Sequence, residues 1–254
     1  MTTTLIVLAH PDQRSFNGAW AEATEKSSRE LGHTVLWSDL TAMEFDPVES
    51  ARHYPHFQTE SAFDPLKAQE EAAKADEIPS DVATEIEKVR RADRVIFHFP
   101  LWWFAPPAVL KGWFDRVFAH GALHSVNRRF DVGCCIGKKA LFCVTTGSSE
   151  AESAPNGKEG DVQMLLWPTA YTLRYLGYTV LVPEIVHRVH GYHRGSARKE
   201  LQDRLQAVLE TQPSLVSAFD ERPALEFNLD SEFDDNGRLK PGSQSHSFFI
   251  RQLP

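Results

Sequence analysis

The stretch that decides the fold covers residues 92–118 and reads ADRVIFHFPLWWFAPPAVLKGWFDRVF. Its first part, residues 94–99, is a short apolar run bounded by Pro100, and it predicts a buried β-strand. Pro106 and the proline after it then open a helix that runs to Phe118, because proline is tolerated in the first turn of a helix. A strand followed at once by a helix is the basic unit of an α/β protein.

Short apolar runs alternate with longer amphipathic stretches along most of the chain. The predicted strands cover residues 5–9, 33–37, 94–99, 139–144 and 178–182. The predicted helices cover residues 16–31, 65–75, 81–91, 106–118, 161–176 and 197–210. Continuous apolar strands separated by helices form parallel sheets that are covered on both faces. We therefore expect an α/β fold with a doubly wound, five-stranded parallel sheet in a domain spanning residues 1–212.

Residues 213–254 differ in character from the rest of the chain. Their phenylalanines lie among Asp, Pro and Gly residues, at Phe219, Phe227, Phe233, Phe248 and Phe249. A tail of this kind buries its aromatic side chains only by wrapping over another surface. We expect a C-terminal arm that packs over a subunit interface, and a disordered linker is the alternative.

The composition of the chain excludes several classes of protein. Of its 254 residues, 42% are hydrophobic and 24% are charged, which suits a globular protein with a large core. Lys plus Arg number 27 and Asp plus Glu number 35, giving a net charge of −8. An acidic chain without a basic run is a poor match to a phosphate backbone or an anionic membrane surface. We therefore expect no nucleic-acid partner.

Cysteine usage and hydropathy give further expectations. The three cysteines have no CxxC spacing, so neither a disulfide framework nor a zinc site is predicted. The adjacent Cys134 and Cys135 are either a reactive pair or two ordinary buried thiols. The chain contains no apolar run of the roughly 18 residues that a membrane-spanning helix needs. We expect a cytoplasmic protein with no integral membrane segment and no metal.

Three loops follow predicted strands at the sheet edge where ligands bind in open parallel sheets. Residues 10–17, HPDQRSFN, precede a helix whose free N–H groups suit a phosphate. An equally good interpretation is that Ser15 and Asn17 only cap this helix. Residues 100–104, PLWWF, carry three consecutive aromatic rings that cannot all face one core, so they line a flat pocket or an oligomer interface. Residues 145–149, TTGSS, supply hydroxyl groups and a glycine. Together the loops describe a site for a flat, phosphate-bearing molecule such as a flavin.

On these residues the chain resembles the NAD(P)H:quinone oxidoreductase family, the DT-diaphorase-like flavoproteins with a flavodoxin-like fold. The matching blocks are LIVLAHPDQRSFN (5–17), SDLTAMEFDP (38–47), ADRVIFHFPLWWFAPPAVLKGWFDRVF (92–118), KKALFCVTTG (138–147) and GDVQMLLWP (160–168). The resemblance implies a homodimer that binds FAD rather than FMN and uses NAD(P)H as co-substrate. It also implies ping-pong, two-electron hydride transfer through flavin N5 to quinones, and to azo or nitroaromatic compounds as further acceptors.

The resemblance also implies roles for individual residues. By this resemblance, the diphosphate side of the flavin is bound by His10, Ser15, Phe16 and Asn17. The isoalloxazine ring is bound by Pro100, Leu101, Trp102, Trp103 and Phe104. Its pyrimidine edge is bound by Thr145, Thr146, Gly147 and Ser148, and the adenosine half by Arg198. The acceptor pocket is lined by Trp103, Phe104, Gly147, His124 and Val126.

The chain departs from the family at the two predicted catalytic positions. The animal enzymes of the family have a tyrosine and a histidine there, which donate hydrogen bonds as the flavin gains negative charge, whereas this chain has Ser153 and Glu159. An ionised Glu159 cannot donate a hydrogen bond. Either Glu159 is protonated in a desolvated pocket, or Lys158 supplies a compensating charge, or the loop is placed differently. His124 and Val126 replace two pocket tyrosines, so we expect a different acceptor range.

Two other functions fit the same residues. Some bacterial relatives of the family are regulatory flavoproteins docked to an ion-transport system, and that is the alternative function here. A flavin-free binding protein on the same scaffold is a further alternative, because a fold does not fix a function.

Overall fold

Parallel strands form one sheet in the computed structural model, which describes residues 1–57 and 62–253. The six strands found there are β1 (Thr3–Leu8), β2 (Thr34–Asp39), β3 (Arg94–Pro100), β4 (Lys139–Thr145), β5 (Thr179–Val180) and β6 (Glu184–Val186). The order across the sheet is β2-β1-β3-β4-β5, and β6 also pairs with β4. All of these pairings are parallel, which confirms the predicted doubly wound α/β architecture.

Helices cover both faces of the sheet. The α-helices of the described residues are α1 (Phe16–Glu30), α2 (Pro65–Ala75), α3 (Ser80–Arg91), α4 (Ala108–Val117), α5 (Val162–Tyr175), α6 (Gly195–Glu210) and α7 (Gln212–Ser217). Short 3-10 helices lie at Ala51–His53, Pro55–Phe57, Phe130–Val132, Phe219–Glu221 and Asp230–Glu232. Helices α3, α4 and α5 pack on one face, and α1, α6 and α7 pack on the other. Within the described ranges, no helix has the length and hydropathy to cross a membrane.

Strand β3 shows why the strands are continuous apolar runs. Phe97 faces α4, where its ring meets that of Trp113 edge-on with the centroids 6.0 Å apart. The next residue, His98, points to the opposite face and lies 5.4 Å from the ring of Trp20 in α1. His98 is completely buried, and this burial lowers its pKa to about 3. Both faces of the strand are therefore core, and His98 is a neutral core residue.

The order of the strands creates a switch point between β1 and β3. From β1 the chain crosses to β2 on one side, and after α3 it returns to β3 on the other side. The loops after β1 and β3 consequently diverge, and they leave a crevice at the carboxyl ends of these strands. The predicted ligand loops at 10–17, 100–104 and 145–149 all lie at this edge.

The predicted strand at residues 178–182 is wrong in extent. Strand β5 contains only Thr179–Val180, and pairing with β4 resumes at β6 after an interruption. Val180 pairs with Ala140 and Glu184 with Cys143, so the outer chain uses one residue more than β4 over this distance. The extra residue falls at 181–183, where Pro183 has no N–H group to donate to the ladder. The edge of the sheet is therefore one strand broken by a bulge.

The C-terminal residues begin within the domain and end on its surface. Val216 of α7 and Phe219 are buried beneath the sheet face that carries α1. Further along, the Arg174 guanidinium binds the carboxylate of Asp131 and donates to the carbonyl of Asn228 at 3.2 Å. The side chains of Phe248 and Phe249 are 75% and 49% exposed. The domain boundary at residue 212 and the packing of the arm on a subunit interface stay predictions.

A buried carboxylate joins three elements on the α3 face. Glu85 has no exposed surface and accepts hydrogen bonds from Ser38 Oγ at 2.6 Å and Trp113 Nε1 at 2.9 Å. Its other oxygen accepts from Lys88 Nζ at 2.6 Å. Every polar group of this cluster thus has a partner, which is the condition for burying a charge in a core.

We expect Glu85→Ala to lower the free energy of unfolding by about 3–5 kcal/mol, because the substitution removes the counter-charge of Lys88 and leaves the buried N–H of Trp113 without its acceptor. Urea denaturation followed by circular dichroism measures the change. The matched control is Glu87→Ala, which removes an exposed carboxylate from the same helix and should change stability by no more than about 0.5 kcal/mol. Equal losses from the two substitutions would contradict this role for Glu85.

Candidate functional site

A cavity of about 420 Å³ opens at the carboxyl ends of β3 and β4. Its walls come from the loops after these strands, from the chain at 152–159 and from the start of α5. The predicted site residues that line it are Leu101, Trp103, Phe104, Thr146, Gly147, Ser148, Ser153 and Glu159. The structure therefore brings together residues of the predicted isoalloxazine, pyrimidine-edge and catalytic groups.

The aromatic wall is a two-residue turn held in an unfavourable conformation. Trp102 and Ala105 exchange backbone hydrogen bonds of 2.9 and 3.1 Å, which closes a hairpin around Trp103 and Phe104. Both central residues have positive φ, at 49° and 63°, as a type I′ turn requires. Such turns favour Asn-Gly, and a bulky residue at positive φ stores strain. The geometry turns the two rings outward, with Trp103 93% exposed and Phe104 51% exposed.

Hydrogen bonds fix the polar wall at residues 145–148. The buried Asn17 in the first turn of α1 donates from Nδ2 to Thr145 Oγ1 at 2.9 Å. Thr146 Oγ1 lies 3.0 Å from the Ser148 carbonyl and 3.0 Å from His187 Nδ1. A Cβ built on Gly147 would meet nothing within 4 Å, so the backbone there is open to a close approach. This wall is ordered before any ligand contacts it.

The loop carrying the two predicted catalytic residues is also fixed internally. Ser153 is buried, and its Oγ lies 2.6 Å from Ser148 Oγ. Glu152 accepts from the backbone N–H of Ser149 at 3.0 Å, and this hydrogen bond is the first cause of its lowered pKa, about 2. The ammonium of Lys158 lies 3.1 Å from Glu152. Lys158 is therefore already paired, which weighs against it as the source of compensating charge beside Glu159.

The loop after β1 approaches the aromatic turn from the side of α1. The ring centroids of His10 and Trp102 are 6.0 Å apart. Ser15 is the N-cap of α1 and accepts from Gly18 N at 3.2 Å, so its capping role is real. Asn17 does not cap the helix, and its buried Oδ1 has no hydrogen-bond partner among the described residues. Phe16 packs on Trp20 with ring centroids 5.5 Å apart.

Three predicted site residues lie away from this cavity. Arg198 lines a separate cavity of about 410 Å³ with His190 and His193, beyond the end of β6. His124 lines a third cavity, of about 340 Å³, beside Tyr175, and the two rings meet edge-on at 5.4 Å. Val126 lies on the rim of a larger surface cavity formed with the C-terminal arm. A single chain does not unite these residues with Trp103 and Gly147.

Two residues of the site escaped the sequence analysis. Glu152 pairs reciprocally with Ser149, because Ser149 Oγ also accepts from Glu152 N at 3.2 Å. These reciprocal bonds follow the pattern of a capping box around a turn, and the Ser-x-x-Glu spacing is visible in the sequence. His187 supports Thr146, and burial lowers its pKa. No spacing in the sequence connects it with residue 146.

The residues present suit a flat ligand with hydrogen-bonding edges. Exposed aromatic rings form one wall, and an open glycine backbone forms another. No group of three or more His, Cys, Asp or Glu side chains within residues 1–57 and 62–253 is arranged to hold a metal ion.

Comparison with known proteins gives consistent similarities. A family model described as "Flavodoxin-like fold" matches residues 2–210. The chain is 36% identical over 244 residues to NAD(P)H dehydrogenase [quinone] 1 of Cavia porcellus, covering 91% of this chain and 87% of that protein. It is 40% identical over 183 residues to human ribosyldihydronicotinamide dehydrogenase [quinone], covering 71% of this chain and 79% of that one.

A solved structure from Klebsiella pneumoniae, described as a candidate quinone reductase, has a TM-score of 0.83 to this chain. The two share 28% identity, and the match covers 96% of this chain and 98% of the other. The NAD(P)H:quinone oxidoreductase of Methanothermobacter marburgensis has a TM-score of 0.60 at 27% identity, with 84% of this chain and 96% of the other covered.

We expect the double substitution Trp103→Asn/Phe104→Gly to raise the free energy of unfolding by about 1–3 kcal/mol, because it places the favoured Asn-Gly pair at two strained positions. Urea denaturation of the ligand-free protein measures the effect. Tyr192→Asn removes another exposed aromatic ring and should leave stability within about 0.5 kcal/mol. An unchanged or lowered stability of the double variant would show that the turn is unstrained.

Proposed function

Because the chain belongs to the NAD(P)H:quinone oxidoreductase family and is an NAD(P)H dehydrogenase (quinone), we propose that it uses FAD to reduce quinones by two electrons. The isoalloxazine would lie in the cavity between the aromatic turn at 102–105 and the open backbone of Gly147. When bound, the flavin supplies the carrier that accepts hydride from NAD(P)H and returns it to the acceptor. The observation that carries the proposal is the aromatic turn, whose strained backbone presents two rings at the switch point of the sheet.

In this proposal, the chain's own residues would bind the flavin and orient its ring. The hydroxyl of Thr146, held by its contact with His187, and the backbone of Gly147 form the edge that meets the polar side of the ring. Asn17 ties this edge to the first turn of α1, where the helix dipole favours a phosphate. Preorganised groups of this kind need no rearrangement when charge develops on the ligand.

A second cavity at the same edge of the sheet favours FAD over FMN. The segment that follows β6 ends at the start of α6, and the cavity there is lined by Arg194, Arg198 and two histidines. These cationic and imidazole groups suit the adenosine half of a dinucleotide. FMN ends at its phosphate and has no adenosine to place in this cavity.

A homodimer would reconcile the two locations of the predicted acceptor residues. Trp103 and Phe104 are exposed on one surface, whereas His124 and Val126 lie at cavities on another. The second surface carries exposed apolar side chains, including Val126 and Phe248. In a two-fold dimer the turn of one chain can face His124 of the other, so that one acceptor pocket draws on both copies.

Absorption spectroscopy of the purified protein tests the proposal. We expect a bound flavin whose visible absorption is lost when NADH or NADPH is added without oxygen and returns when a quinone is added. Denaturing release followed by chromatography identifies the flavin, and FAD is the expected result.

A protein that cannot be loaded with FAD or FMN would contradict the flavoenzyme assignment. A bound flavin that pyridine nucleotides do not reduce would instead favour the regulatory alternative. Release of FMN alone would contradict only the choice of FAD.

Glu159 should lower the reduction potential of the bound flavin, because its carboxylate lines the cavity and opposes added negative charge. We expect Glu159→Gln to raise the two-electron potential on the order of 30 mV, equal to about 1.4 kcal/mol. Spectroelectrochemistry measures this potential. Glu87→Gln removes the same charge from an exposed position on α3 and should leave the potential unchanged. Identical shifts in both variants would contradict a specific effect of Glu159.

A further inference from the structure

Two adjacent cysteines meet at the edge of the sheet opposite the cavity. Cys134 and Cys135 precede β4, and their Sγ atoms are 3.5 Å apart. Both are free thiols; Cys134 is half-buried and Cys135 is buried. The proposed function uses neither residue.

The backbone around the pair is held in place. Cys135 N donates to the carbonyl of Leu176 at 2.8 Å, and Lys138 N donates to the carbonyl of Cys135 at 3.0 Å. Gly133 lies so close to Leu176 that a Cβ at Gly133 would come within 2.3 Å of the Leu176 carbonyl oxygen. The two thiols are therefore fixed relative to the end of α5, with the half-buried Cys134 sulfur beside the buried Cys135 sulfur.

The geometry disfavours a disulfide between the two thiols. Their sulfurs are 3.5 Å apart, and a disulfide bond would need to draw them to about 2.05 Å. The peptide bond that joins them is trans, which sets their Cα atoms about 3.8 Å apart. Disulfide-bonded cysteines usually have Cα atoms about 4.4–6.8 Å apart, so closing this bridge would strain the chain. A third atom that is bonded to both sulfurs does not require them to approach to the length of a disulfide bond, because they stay separated.

The hydrogen bond between the thiols and two nearby charges make the half-buried member of the pair the better nucleophile. The hydrogen bond between the two sulfurs is the first cause of the lowered pKa of Cys134. The positive charges of Arg128 and Lys138 act in the same direction. The same hydrogen bond and burial raise the pKa of Cys135. One thiol therefore ionises readily beside a second that keeps its proton, which is the state from which a soft electrophile is attacked.

We propose that Cys134 and Cys135 form a bidentate site for trivalent arsenic compounds of the type R–As=O. Each thiol gives up its proton and forms one S–As bond, and the oxygen leaves as water. Arsenic stays trivalent, so the step needs neither an oxidant nor a reductant. Arsenic is a soft, thiophilic centre, and it bridges two sulfurs that the fold already holds side by side.

Phenylarsine oxide tests the site on the full chain kept reduced with a phosphine. Intact-protein mass spectrometry should show one phenylarsenic group per chain, added with the loss of one water. We expect the adduct to survive 2-mercaptoethanol and to be removed by 2,3-dimercaptopropanol, because only a dithiol matches bidentate capture.

Three variants locate the site. Cys134→Ser and Cys135→Ser should each weaken retention at least about 100-fold, since single-point attachment loses the intramolecular second bond. Cys143→Ala is the matched control, because Cys143 is a buried cysteine of β4 outside the pair, and it should retain the adduct. Circular dichroism shows whether each variant is folded. If Cys135→Ser does not fold, Cys134→Ser, at the half-buried position, still tests the site.

Two results would overturn the proposal: no uptake of arsenic by the wild-type chain, or an adduct that persists in folded Cys134→Ser.

Discussion

The hydrogen-bonded register between β3 and β4 places the two walls of the site beside each other. Pro100 pairs with Thr145, and the next residue, Leu101, donates its N–H to the Thr145 carbonyl at 2.8 Å. Beyond this bond, the segment after β3 enters the aromatic turn, and the segment after β4 enters the Thr-Thr-Gly loop. Both strands are buried on both faces, so a slip of one residue would exchange the side chains that pack on the two faces. The position of the cavity walls is therefore set by two buried strands of the sheet.

The site contains a strained turn and a negative charge, and the surrounding fold offsets their free-energy cost. Trp103 and Phe104 occupy positions where glycine or asparagine would fit better, and they stay there because the strand before them and Pro106 after them hold the turn. Opposite this turn, Glu159 adds negative charge to a cavity whose nearby ammonium, on Lys158, is already paired with Glu152. A flat aromatic surface and a negative wall together are expected to favour neutral, planar acceptors.

Much of the fold was predictable because it follows from local pattern. Strands β1, β3 and β4 are apolar runs ended by proline or polar residues, and α2 was predicted with its observed bounds of Pro65–Ala75. The bulge at 181–183 was not predictable, because its register depends on β4, which lies about 40 residues earlier in the chain. The type I′ turn was hidden for a different reason, since its sequence contradicts the propensity for that turn.

The same distinction applies to the site. The loops after β3 and β4 were found because strand ends are visible in the sequence. His187 was missed because only the pairing of β6 with β4 brings it to Thr146. His124 and Val126 lie apart from the cavity in a single chain, and a sequence cannot show which surface of a second copy would meet them.

In the proposed function, the strained aromatic turn and the Gly147 backbone together hold the flavin. A crystal structure of the protein grown with FAD would show whether they do. We expect the isoalloxazine in the cavity between Phe104 and Gly147, with the turn at 102–105 unchanged. Density for the flavin elsewhere, or a turn that rearranges to release Trp103 from positive φ, would contradict it.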